Sequence, residues 1–272
     1  MIIKSILKKA LNRAGYVICK NSPLLLNGQE LKLLYEAAPW IKVWMNLTKQ
    51  KRDIVLPFLA LSKSQLGQDI FALSEILAAS RPNRGFFVEI GASDGLRFSN
   101  TWLMEKCLGW DGILVEPSKI RYSSLTKNRT CKVDVRAVYE KTGLNLKFLD
   151  LHGDSEYAEL SGLKDYSMND DRGKIRNQKA TEYDVTTIRL DDLLATYNAP
   201  FNIEFLSVDT EGSELQVIRS VDFEKYSFDV ICIEHNFNTL IQEQIFSLIA
   251  PHGYKRVFQG ASAWDDWYVL KR

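Results

Sequence analysis

The 272 residues are 46% hydrophobic and 25% charged, ordinary globular proportions that exclude a disordered or low-complexity protein. Lys and Arg number 35 against 34 Asp and Glu, a net charge of +1, which removes bulk charge as an argument for nucleic-acid binding. Cys19, Cys107, Cys131 and Cys232 form no C-x-x-C pair and are too few for a disulfide scaffold, so reduced core thiols and a cytoplasmic protein are expected.

The charge is uneven along the chain. Residues 1–52 hold ten Lys or Arg against Glu30 and Glu36, a local charge of +8. Within 2–18, Ile3, Ile6, Leu7, Ala10, Leu11 and Ala14 recur at helical spacing opposite Lys4, Lys8 and Arg13, which predicts a basic amphipathic helix. Two readings stay open for it: peripheral contact with the inner face of an anionic membrane through residues 1–20, or packing on its own domain. Pro23, Asn27-Gly28 and Pro39 break the chain after this helix into short pieces. Residues 1–60 therefore read as a helical basic extension and 61–272 as the main domain.

From residue 61 strands alternate with helices. Strands are expected at 86–90, 113–116, 131–138, 203–209, 230–234, 254–258 and 267–270, and helices at 101–108, 118–128, 213–220 and 239–250. Continuous apolar strands such as Phe86-Phe87-Val88 and Val230-Ile231-Cys232-Ile233 indicate a mostly parallel sheet with helices on both faces. The polar stretch 161–181 interrupts the alternation and reads as a surface insertion or lid.

Ligands of such a sheet bind at the carboxyl ends of its strands. The first strand runs into Glu89-Ile90-Gly91-Ala92-Ser93-Asp94-Gly95, a G-x-x-x-G spacing rather than the G-x-G-x-x-G that cradles a pyrophosphate. Gly91 and Gly95 would let backbone approach a ligand, and Glu89 would welcome a cationic group. Glu116 ends the second strand, where a carboxylate can grip ribose hydroxyls. This combination describes a site for S-adenosylmethionine, a nucleoside with a sulfonium and no phosphate, with Ser93 and Asp94 in its loop. Asp134, near the third strand, is a candidate acceptor for the adenine amino group, or a plain salt-bridge residue.

The fourth and fifth strands end in Ser207-Val208-Asp209-Thr210-Glu211-Gly212-Ser213-Glu214 and Glu234-His235-Asn236. With Ser64-Gln65-Leu66-Gly67-Gln68-Asp69, Val88-Glu89-Ile90-Gly91 and Gly109-Trp110-Asp111-Gly112, these segments resemble the FkbM family of S-adenosylmethionine-dependent methyltransferases over about residues 60–272. The resemblance implies a class I methyltransferase Rossmann-like α/β fold, seven strands with the last antiparallel, and methyl transfer to a hydroxyl oxygen, often of a sugar. It also places Gln65 and Asp69 beside the cofactor. A hydroxyl needs its proton removed by a base or a metal. Asp209, Glu211, Glu234 and His235 are the catalytic candidates, and Asp209, Glu234 and Asn236 could hold Mg²⁺. Glu214 reads as a cap on its own helix. The expected partner is a glycan, glycolipid or small-molecule acceptor, not nucleic acid. A nicotinamide-dependent oxidoreductase and an inactive scaffold of the same fold are the alternatives.

Overall fold

The computed structural model describes residues 38–79, 84–152, 160–167 and 179–271. The basic helix expected within 2–18 lies outside the described residues.

Short helices α1 (Ile41–Asn46) and α2 (Lys49–Val55) lead into α3 (Gln68–Ala78). The sheet elements come next: β1 (Phe86–Ile90), α4 (Trp102–Leu108), β2 (Asp111–Val115), α5 (Tyr122–Asn128), β3 (Lys132–Asp134), β4 (Ala137–Val138) and β5 (Asn145–Leu151). Then come β6 (Gly162–Leu163), α6 (Lys164–Ser167), β7 (Ala180–Ile188), α7 (Leu190–Thr196), β8 (Asn202–Val208), α8 (Glu214–Arg219) and β9 (Ser227–Glu234). The chain closes through α9 (Thr239–Ile249), β10 (Tyr254–Val257) and β11 (Asp265–Leu270).

Seven strands form the main sheet in the order β10-β11-β9-β8-β1-β2-β3. The pairs β1–β2, β1–β8, β8–β9 and β2–β3 are parallel, whereas β11 runs antiparallel to both β9 and β10. This is the expected α/β fold with its antiparallel last strand. Side chains alternate between two cores, as the pleat requires. Phe87, Leu114, Phe205 and Trp267 face a cluster shared with α3 and α4, while Val88, Ile113, Leu206 and Ile231 face one shared with α7, α8 and α9. Phe71 of α3 stacks on Trp267 at 4.7 Å between ring centres. The first cluster also takes Trp40, Val43, Leu47 and Val55, so residues 38–60, read from sequence as extension, share the core of the main domain.

The stretch 131–138, expected as one strand, is broken. Asp134 Oδ1 accepts the Arg136 N–H at 2.9 Å, a local turn of the kind aspartate favours. The chain thereby leaves the main sheet at β3 and enters a second sheet of order β4-β7-β5-β6. That sheet is mainly antiparallel and packs Ala137, Phe148, Leu163 and Val185 together. Part of the expected 161–181 insertion is therefore structured, in β6, α6 and the start of β7.

Candidate active site

Because β1, β2, β8 and β9 run parallel, their carboxyl ends meet at one edge, and a cavity of about 670 Å³ opens there. The second sheet walls one side through Phe148 and Leu163, joined by Leu160 just before β6. Backbone strain is concentrated on this cavity. Ser93, Phe98, Glu211, Asn236 and Phe237 all line it and all hold positive φ, between 46° and 59°. Such conformations cost a non-glycine residue about 1–3 kcal/mol each and persist where surrounding structure imposes them.

Gly91, at φ 86°, is glycine for a local reason. A β-carbon there would stand 1.6 Å from the carbonyl oxygen of Asp209. Asp209 N–H in turn donates to Ile90 O at 2.9 Å. The close approach expected between Gly91 and a ligand is thus made with the tip of β8. Gly95 likewise faces protein, since its β-carbon would meet Leu125 and Arg129 at 2.6 Å.

Glu116 is buried at the tip of β2 and lines the cavity. Its Oε2 accepts the Ser93 N–H at 2.7 Å and its Oε1 the Ser118 N–H at 2.8 Å. The two backbone donors hold the Glu116 carboxylate in place at the cavity wall. Ser93 Oγ and Asn100 Oδ1 are buried without a hydrogen-bond partner, and both residues line the cavity, the Asn100 side-chain amide donating to Ser207 Oγ of β8 at 2.9 Å.

Glu89 also borders the cavity, but donors within the protein surround its carboxylate. Ser99 Oγ donates at 2.9 Å, Thr101 Oγ1 at 2.5 Å and the Asn100 N–H at 2.7 Å, with Arg129 at 3.5 Å. Arg129 is itself buried and reaches Glu105 at 2.5 Å. Burial pushes the Glu105 carboxyl up, but the Thr130 N–H and Arg129 outweigh it and hold the group well below the usual carboxylate range. The cationic partner expected at Glu89 is therefore Arg129, and the pair braces the segment 99–101.

Three acids expected beside the cofactor stand off the cavity wall. Asp94 Oδ1 accepts the N–H groups of Leu96 and Arg97, both at 2.8 Å. Asp134 is ion-paired with Arg136 at 2.6 Å, the salt-bridge alternative. Asp69 takes the hydroxyls of Ser62 at 2.8 Å and Ser64 at 2.5 Å. Its neighbour Gln65 does line the cavity.

Across the cavity Asp209, Glu211 and Glu234 bring carboxylate oxygens within 4.8 Å of one another. Burial pushes the Glu234 carboxyl well up, and the charges of Asp209 and Glu211 push it further. The cation-capable set is this triad. Asn236, expected in that set, instead donates its side-chain amide to Glu234 Oε2 at 2.7 Å. Glu214 stays in its own loop, with Oε1 accepting the N–H groups of Thr210 at 2.8 Å and Gly212 at 2.9 Å.

His235 is displaced from the expected role. Side chains alternate along β9, so with Glu234 facing the cavity its neighbour faces away. The ring accepts the Phe237 N–H at 3.1 Å through Nδ1, while its other nitrogen lies 3.3 Å from Gln242 and 3.9 Å from Asp266. Burial lowers its pKa.

Several site residues carry no motif in the sequence. Asp265, opposite Glu234 in the β9–β11 register, is buried and accepts from Gln68 at 2.9 Å and Trp267 at 3.2 Å. Burial and then Asp209 push its pKa up to about 7. Asp150 of β5 accepts Ser118 Oγ at 2.7 Å and the Tyr183 hydroxyl at 2.5 Å, tying the second sheet to the loop after β2. Trp264 lines the cavity while Trp267 is core, a division the bare count of tryptophans did not show.

Residues 89–256 match the Methyltransferase FkbM domain, well over half of the chain and every strand tip described above. The chain belongs to the FkbM methyltransferase family. It is also similar to the crystal structure of methyltransferase FkbM from Methylobacillus flagellatus KT, with 12% identity and a TM-score of 0.42. That similarity covers 88% of this chain and 60% of the other, so the chain spans less than two thirds of that protein. No curated protein matches its sequence.

Proposed function

We propose that this FkbM methyltransferase transfers the methyl group of S-adenosylmethionine to a hydroxyl oxygen of a sugar, in a glycan or glycolipid. The observation that carries the reading is one cavity with two chemically distinct sides. Glu116, with Ser93 bonded to it, occupies the first side. Asp209, Glu211 and Glu234 occupy the second. The first side fits a nucleoside without phosphate. Glu116 would take ribose hydroxyls, and the apolar wall of Val115, Val138 and Phe148 would cover a base. When bound, the cofactor supplies an electrophilic methyl group on a sulfonium.

The protein's part is alignment and proton removal. Asp209 accepts the proton of the acceptor hydroxyl. Glu234, its carboxyl pushed up by burial and neighbouring acids, keeps its own proton and donates a hydrogen bond. The same three carboxylates form a hard oxygen donor set, so a divalent ion such as Mg²⁺ activating the hydroxyl is the second reading. Phe237 and Trp264, at 6.3 Å between ring centres and both on the cavity wall, support a sugar acceptor through the apolar faces of aromatic rings.

Labelled S-adenosylmethionine offered with a panel of glycosides tests this reading. Asp209→Asn should depress turnover about 10²–10⁴-fold, the usual loss for a general base, while S-adenosylhomocysteine binds as in the parent. EDTA should leave the rate unchanged if Asp209 is the base, and should abolish it reversibly if a metal activates the hydroxyl. Near-parental turnover in both Asp209→Asn and Glu234→Gln would remove the acids from the chemistry. An absence of turnover with every acceptor would leave an inactive scaffold.

A further inference from the structure

The loop that carries Asp209 and Glu211 is wound around one carboxylate oxygen. Glu214 Oε1 accepts the Thr210 N–H at 2.8 Å, the Gly212 N–H at 2.9 Å and the Thr210 hydroxyl at 3.0 Å. Ser213 Oγ extends the arrangement by donating to Thr210 Oγ1 at 2.9 Å. Glu214 is buried and begins α8. A helix cap takes the N–H groups that follow it, whereas Glu214 takes groups that come before it. Glu211 stands between the two amides that converge on Glu214, and its φ is 57°. Left-handed backbone within a turn aims neighbouring N–H groups at one point and makes a concavity for an anion. Here the anion is the Glu214 carboxylate, which accounts for the strain at Glu211. On its other side the loop meets α6, where a β-carbon at Gly212 would stand 3.0 Å from the carbonyl oxygen of Tyr166.

The acids need such a hold. Asp209, Glu211 and Glu234 have carboxylate oxygens within 4.8 Å of one another, and like charges at that distance repel. Glu211 would relieve the repulsion by leaving left-handed backbone, which is also the easier conformation for it. We infer that Glu214 is the positioning residue of the acid loop, holding Glu211 in left-handed backbone and so keeping its carboxylate in one set with Asp209 and Glu234. This deepens the proposed function and rests on it. Glu214 does not line the cavity, so it acts through Glu211 rather than on the acceptor.

Two substitutions separate reach from charge. Glu214→Asp keeps the charge and withdraws the oxygen by one methylene from its three donors. Glu214→Gln removes the charge and keeps an oxygen of the same reach that accepts the same bonds. The probe is Tb³⁺, a hard cation taken up by clustered carboxylate oxygens, its luminescence excited through Trp264, which lines the same cavity. The signal read is the part that Asp209→Asn abolishes. Glu214→Asp should weaken Tb³⁺ binding at least about tenfold, the loss of one charge-assisted contact, and Glu214→Gln should bind it nearly as the parent does. The Thr210 and Gly212 amide protons should exchange faster in Glu214→Asp and keep their protection in Glu214→Gln. S-adenosylhomocysteine should bind both variants as it binds the parent.

Equal losses in the two variants, a larger loss in Glu214→Gln, or parental Tb³⁺ binding in both would overturn the inference. So would loss of S-adenosylhomocysteine binding in Glu214→Asp, which would show a disturbance of the whole sheet edge. A parent that gives no Asp209-dependent signal would overturn it too, since its three carboxylates would not stand as one set. Each of these results leaves the methyltransferase reading in place while the parent binds S-adenosylhomocysteine. A parent that does not bind it would remove that reading, and the inference with it.

Discussion

A β-carbon at Gly91 would lie 1.6 Å from the carbonyl oxygen of Asp209, so Gly91→Ala must push apart the tips of β1 and β8. Strain at positive φ and overpacking together should cost about 3 kcal/mol, read as a lowered unfolding midpoint, and turnover should fall with it because Asp209 moves. Asp265 supplies a second test at this scale. Its carboxyl is pushed up to about 7 by burial and then by Asp209, against 3.8 unperturbed. A raised carboxyl pKa means that the folded protein holds a proton the unfolded chain releases, so stability falls as pH rises from about 4 to about 7 and levels off above. Gln68 and Trp267 both donate to the same oxygen, Oδ2, which the amide oxygen of asparagine can replace. Asp265→Asn should therefore be more stable than the parent at pH 8 and indistinguishable from it near pH 4, by denaturant midpoints across that range. An advantage that did not vary with pH would show that Asp265 is not held protonated.

The same residues show how far the sequence could be read. Glu116, Asp209 and Glu234 were legible because a parallel strand fixes where its last residue lies. Asp69, Asp94 and Asp134 were not, because a carboxylate near a turn satisfies backbone N–H groups or a neighbouring arginine as readily as a ligand. His235 stands one residue beyond Glu234, and a one-residue step on a strand reverses the face.

At the scale of elements, the second sheet was the part least visible beforehand. Its strand β7 alternates polar and apolar residues, as in Tyr183 and Val185 set among Glu182, Asp184 and Thr186, and β5 begins the same way with Leu146 and Phe148 set among Asn145 and Lys147. That is the pattern of an antiparallel sheet with one face in solvent, and it stands out poorly beside the continuous apolar runs of the main sheet. Its contribution to the site runs through Asp150, which holds Ser118 and the Tyr183 hydroxyl next to the Glu116 loop. Tyr183→Phe removes one donor to a buried carboxylate, an effect of about 1–3 kcal/mol. It should weaken S-adenosylhomocysteine binding by loosening that loop while leaving the acids undisturbed. Unchanged affinity would show that the second sheet does not brace the cofactor side. At the other end of the chain, the described residues contain no helix long and apolar enough to cross a membrane. If residues 1–20 dock on an anionic surface rather than pack on their own domain, deleting them should abolish sedimentation with anionic vesicles and leave cofactor binding unchanged.

At the scale of the molecule, strand order brings the two halves of the proposed chemistry together. Placing β1 between β2 and β8 sets Glu116 on one side of the Gly91 turn and Asp209 on the other, with β9 adding Glu234 beyond. Residues far apart in the chain thus converge on one cavity whose nucleoside side and acceptor side are separately addressable. Calorimetric titration of S-adenosylhomocysteine into the parent, Glu116→Ala and Asp209→Asn proteins tests that division most directly. The account predicts binding to the parent, a tenfold to hundredfold loss in Glu116→Ala, corresponding to about 1.5–3 kcal/mol for charge-assisted hydrogen bonds, and parental affinity in Asp209→Asn. Parental affinity in Glu116→Ala, or no binding to the parent at all, would contradict it.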